Sequence, residues 1–136
     1  DIRHEQGDAG TTKSFVDAKA YFDAFEGIPY NLVTGNHDLE GLDEFDTDED
    51  NLQAWMDCFE KDTPGFSRKI GERTLLLGLS TVRFREAPYS SHEVHVDDDQ
   101  IEWFRSMVQA HPESEGWKIL VFSHAPIIGS GLRVLQ

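Results

Sequence analysis

Residues 30–38 read Tyr30-Asn31-Leu32-Val33-Thr34-Gly35-Asn36-His37-Asp38. An apolar run with β-favouring side chains halts at a glycine, and an amide, an imidazole and a carboxylate follow. The glycine predicts a sharp backbone turn free of any Cβ clash. The three polar side chains combine an oxygen ligand, a proton donor and a group able to orient that donor. On its own the tetrapeptide equally fits a tight turn, because Gly, Asn and Asp all favour turns.

Working outward, Ile28 to Thr34 predicts a strand with Pro29 near its start. Before it, Phe15, Ala18, Phe22 and Phe25 recur at helical spacing, which predicts a helix over Ser14 to Glu26 stopped by Gly27. After it, Asp38 to Asp50 reads as an acidic loop, and Leu52, Trp55, Met56 and Phe59 form a second helical stripe. Phe66 to Ile70 and Arg73 to Thr81 predict a hairpin about Gly71-Glu72. Leu75-Leu76-Leu77-Gly78-Leu79 is apolar on both faces, as a strand inside a sheet is. Residues 83–96 read as loop. Asp97-Asp98-Asp99 then suits the positive end of a helix carrying Ile101, Phe104, Met107 and Val108. Trp117 to Phe122 predicts a buried strand, which runs into Ser123-His124-Ala125-Pro126.

Strands alternating with helices imply an α/β sandwich. The polar signatures at 35–38 and 123–126 both follow the carboxyl end of an apolar strand, where open α/β sheets hold their ligands. His124 has two readings: a histidine at the edge of the core bonded to a backbone carbonyl, favoured when it is taken alone, or a second metal ligand on a rigid strand end.

The chain has 136 residues and a formal net charge of -14, with 26 acidic against 12 basic side chains. That size suits one domain with its own core. The acidic balance disfavours binding to a phosphate backbone, so no nucleic-acid partner is expected. No stretch approaches a transmembrane length. Cys58 is the only cysteine, which precludes an internal disulfide and fits a reducing, cytoplasmic compartment. The chain opens at Asp1 and closes on Leu132-Arg133-Val134-Leu135-Gln136, so residues 1–136 read as the central part of a single domain and say nothing of targeting.

The strand–Gly-Asn-His-Asp signature at 35–38, the strand–His-x-Pro signature at 123–126 and the Asp-Gln-x-x-Trp helix start at 99–103 occur in an order that resembles the calcineurin-like metallophosphoesterase superfamily. The resemblance covers nearly the whole chain. It implies a four-layer αββα sandwich, incomplete at both ends. It implies two divalent or trivalent metal ions of the iron, manganese or zinc class, clamping a bridging hydroxide that hydrolyses a phosphomonoester or phosphodiester. In that scheme Asn36 and His124 ligate a metal, His37 acts on the phosphoryl or leaving oxygen, and Asp38 orients His37. The family also needs a bridging Asp. Asp1, followed by apolar Ile2, is preferred; Asp8 of Gly7-Asp8 is the alternative. The family's Asp-x-His and Gly-His-x-His signatures do not occur in these residues, so they are expected to be inactive by themselves. A non-catalytic scaffold or interaction domain on the same fold is the second reading, and a plain acidic metal-binding domain the third.

Weaker features have plainer readings. Asp46-Thr47-Asp48-Glu49-Asp50 begins like a calcium loop, but Asn51 stands where such a loop needs Gly, so a solvated run into a helix is expected. His4, His92 and His95 read as loop residues. Gly129-Ser130-Gly131 lacks the pattern of a nucleophile elbow, and Cys58 reads as packing.

Overall fold

The computed structural model describes residues 9–83, 85 and 95–126. These form three α-helices and a three-stranded mixed sheet: α1 Thr12–Asp23, α2 Asp48–Cys58, β1 Phe66–Lys69, β2 Thr74–Leu79, α3 Asp98–Ala110 and β3 Lys118–Ser123. No helix among the described residues is long and apolar enough to cross a membrane.

Each helix starts at a side-chain cap. Thr11 accepts from Ser14 N, Thr47 from Asp50 N and Asp97 from Gln100 N, satisfying amides that the first turn leaves open. Asp48, Glu49 and Asp50 in α2, and Asp98 and Asp99 in α3, add negative charge at the positive ends. The calcium-like run 46–50 is thus a helix entry, as expected, but it is not wholly solvated: Asp48 is buried and accepts from Arg85 N at 2.7 Å. Helix α1 ends at Asp23, short of the expected Glu26: the chain bends after Ala24, and Phe25 is left 46% exposed.

The β1–β2 hairpin closes with Ile70 N donating to Thr74 O. Phe66 pairs with Gly78, and its ring covers the space a Cβ on Gly78 would need. Strand β3 pairs parallel with β2, Leu77 opposite Val121 and Leu79 opposite Ser123. A parallel neighbour needs a crossover, and α3 lies within it. Strand β2 is therefore central, as its two apolar faces predict.

Two expectations about strands fail. Strand β3 is not buried: Leu120, Val121 and Phe122 are 40–48% exposed, because among the described residues only β2 pairs with it. Residues 28–34 form no strand, since no ladder partner meets them among the described residues. The segment is tied by other means. Lys61 Nζ donates to Leu32 O and to Gly65 O, both at 3.2 Å, and lies over the Trp55 ring. Phe22 of α1 packs on Tyr30.

The segment's last residue is held by a buried polar cluster. Thr34 N donates to Ser80 Oγ at 2.9 Å, Thr81 N donates to Thr34 O at 3.1 Å, and the Thr34 hydroxyl donates to Thr81 O. Ser80 Oγ donates to Pro64 O. The Gln100 amide takes both backbone groups of Ser80, accepting from its N and donating to its O. Thr34 and Ser80 are fully buried. The buried apolar residues among those described are Phe15, Leu39, Trp55, Leu75, Leu77 and Val82.

Gln100→Leu leaves Ser80 N and O unpaired in that interior. It should cost about 2–6 kcal/mol, at roughly 1–3 kcal/mol for each of the two orphaned groups, read by urea denaturation with an unchanged m-value. Lys61 supplies a pH test. Burial lowers its ammonium below the ordinary 10.5, so the unfolded chain keeps that proton over a range where the folded one sheds it. Stability from this group therefore rises with pH between the lowered value and 10.5, and Lys61→Met should abolish that rise in denaturation curves taken across the alkaline range.

Candidate functional site

Three chain segments end together. Thr34 is fastened to Ser80 and Thr81, just past the carboxyl end of β2, and His124 follows the carboxyl end of the adjacent parallel β3. Gly35 and Asn36 are thereby carried to the foot of β3. His124 Nε2 donates to Asn36 Oδ1 at 2.9 Å across 88 positions of sequence. Asn36 is only 7% exposed, whereas the residue His124 is exposed. The two residues singled out in separate signatures are in contact.

Gly35 serves this contact in a way the sequence does not reveal. Its φ is not positive, unlike that of Gly10, Gly27, Gly71 and Gly116, so no left-handed turn requires it. A Cβ at Gly35 would instead lie 2.8–2.9 Å from three atoms of the His124 ring. The glycine is there so that the imidazole can sit against the backbone.

Asp38 does not hold His37. Its Oδ2 accepts from Gly35 N at 2.7 Å and closes the loop on itself. Burial raises the Asp38 carboxyl above 3.8; the Gly35 hydrogen bond and the nearby His124 and His37 charges work against that rise. The partner of His37 is Glu40, whose Oε2 lies 2.6 Å from Nδ1 across the 3-10 turn His37–Leu39. Glu40 escaped the sequence reading because it lies outside the tetrapeptide. The spacing of three between His37 and Glu40 was the signal that could have found it.

The loop carrying Glu40 is fixed by close backbone contact. Asn51, fully buried on α2, donates to Gly10 O at 2.7 Å and accepts from Gly41 N at 3.0 Å. Gly10, at φ +69, approaches so near that a Cβ there would lie 2.5 Å from Glu40 N. Polar and glycine positions far apart in sequence thus clamp residues 38–41 to the chain's first described segment.

Asn36 Oδ1 and His124 Nε2 suit one metal ion by chemistry and by spacing. Both atoms carry lone pairs, and two neighbouring ligands at about 2.1 Å from an octahedral metal stand about 3 Å apart. Ligation requires Nε2 to present its lone pair, so the hydrogen bond to Asn36 is given up. Among the described residues no group of three or more His, Cys, Asp or Glu side chains could hold a metal. The bridging candidates Asp1 and Asp8, together with His4, His92 and residues 129–131, lie outside the described residues. His95 lines a separate cavity of about 310 Å³ with Glu49, Asp97 and Asp98, which contains none of Asn36, His37 or His124. Cys58 is half-buried, and burial pushes its thiol up, as packing predicts.

Set against known proteins, the chain matches no family model, no curated protein and no solved structure.

Gly35→Ala should expel the His124 ring. The expected outcome is a large shift in the His124 imidazole resonances and loss of the Asn36 contact, with a stability cost of about 1–3 kcal/mol from the forced overlap.

Proposed function

We propose that these residues carry part of the active site of a metal-dependent phosphoesterase, set in a sandwich of the four-layer αββα kind. The observation that carries this reading is the contact between Asn36 Oδ1 and His124 Nε2, at adjacent carboxyl ends, 88 positions apart. Gly35, with no Cβ, leaves the space that the His124 ring occupies.

Asn36 and His124 would hold one of two metal ions of the iron, manganese or zinc class, their amide oxygen and imidazole nitrogen admitting any of these. Bound metal supplies Lewis-acid charge and lowers the pKa of water. The remaining steps belong to the chain. His37, 62% exposed, presents Nε2 outward, because Nδ1 faces Glu40. As an imidazolium it binds the phosphoryl oxygens and protonates the leaving oxygen. Water oxygen bonds to phosphorus, the ester P–O pair passes to the leaving oxygen with the His37 proton, and the water's proton restores the imidazolium by way of solvent. Asp38 holds the Gly35 turn that keeps Asn36 and His37 in register.

A non-catalytic interaction domain on the same fold is the second reading. The exposed Leu120, Val121 and Phe122 of β3 favour it. The two readings separate in the full-length chain loaded with manganese, iron or zinc and assayed on an aryl phosphate. His37→Ala should lower turnover about 10²–10⁴-fold with metal content unchanged. Asn36→Ala and His124→Ala should lose metal as well as turnover. Full metal content without hydrolysis in the full-length chain, or hydrolysis indifferent to His37, overturns the enzyme reading.

A further inference from the structure

We propose that Glu40, and not the neighbouring Asp38, is the carboxylate that sets the tautomer and orientation of His37. The inference deepens the reading above, since it rests on His37 as the group that meets the phosphoryl or leaving oxygen.

Geometry assigns the partners. Glu40 Oε2 is 2.6 Å from His37 Nδ1, a distance typical of a charge-assisted bond. Asp38 points its Oδ2 at Gly35 N instead. The burial of the pair is unequal. The Glu40 side chain is 8% exposed and that of His37 is 62% exposed, so a fixed carboxylate holds an imidazole whose outer edge faces solvent. A positioning group needs that arrangement.

Glu40 is also committed to this one contact. Its Oε1 is buried and has no hydrogen-bond partner among the described residues. A carboxylate taken out of water with a single polar partner directs its charge at that partner. The backbone that carries it is held by the Gly10 and Asn51 clamp described above, which fixes the point from which the carboxylate extends. An ionised carboxylate only accepts, so the proton on the inner side of the ring belongs to Nδ1. Nε2 is then the atom left for chemistry. Neutral imidazole in water prefers the opposite tautomer, with the proton on Nε2, so the bond to Glu40 leaves a readable mark.

Long-range nitrogen–proton NMR of the full-length chain reads that mark without any assay. With His37 neutral, the wild type should show the Nδ1–H form. Glu40→Ala should revert to the Nε2–H form, and Asp38→Asn, whose amide oxygen can still accept from Gly35 N, should keep Nδ1–H. Glu40→Gln preserves the buried shape if the alanine variant does not fold; its Nδ1–H proton resonance should move upfield as the charge-assisted bond becomes a neutral one. An Nε2–H wild type, or a tautomer that follows Asp38 and ignores Glu40, overturns the proposal. Kinetics supply the second reading. Glu40→Gln should lower kcat about 10–100-fold on an alkyl phosphate with KM nearly unchanged, and progressively less on aryl phosphates with better leaving groups. An equal loss on every leaving group refutes a role through His37. If the wild type keeps the Nδ1–H tautomer but hydrolyses no phosphate ester, the positioning by Glu40 stands and the phosphoesterase reading falls.

Discussion

The buried hydrogen-bond cluster joining Thr34, Ser80, Thr81 and Gln100 is the constraint on which the rest of this structure depends. It takes the end of a segment with no strand partner among the described residues and fastens it to the end of the central strand. The Gln100 side chain ties the same point to α3, the helix within the crossover to β3. An apolar contact in that place could slide. A set of donors and acceptors with no access to water cannot, because every displaced bond leaves an unsatisfied group in the interior.

The consequence is felt one residue later. With Thr34 immobilised, Gly35 has a fixed height against β3, and the His124 ring can lie against its backbone only because no Cβ intervenes. Asn36 then meets His124, while Asp38 turns back to close the loop. The second clamp, Asn51 between Gly10 and Gly41, performs the same office for Glu40. Both clamps use a buried amide side chain on a helix: Gln100 takes both backbone groups of Ser80, and Asn51 joins the backbone of Gly10 to that of Gly41. The proposed site therefore rests on polar ties more than on hydrophobic packing, which suits a sheet whose β3 remains half-open.

Local chemistry was legible. The helix starts after the acidic runs at 46–50 and 97–99, the hairpin at Gly71-Glu72, the central position of β2 and the helical stripes all follow from side-chain pattern and backbone preference. Each depends on neighbours within a few residues. The misjudged elements depend on what lies alongside. Residues 28–34 have strand composition but no ladder, and β3 has a core-like sequence but one pairing neighbour. Composition states what a segment tolerates, and pairing is supplied by the rest of the chain.

For the site, the sequence by itself determined that Gly35-Asn36-His37-Asp38 and His124 each follow an apolar segment, with side chains fit for metal and proton chemistry. Only the tertiary structure decided that Asn36 and His124 touch, that Gly35 is needed for closeness and not for its turn, and that His37 answers to Glu40 while Asp38 serves the backbone. The physical reason is range. Propensities and caps act through bonds a turn or two away. A 2.9 Å contact between residues 88 positions apart is set by how buried polar groups elsewhere satisfy one another.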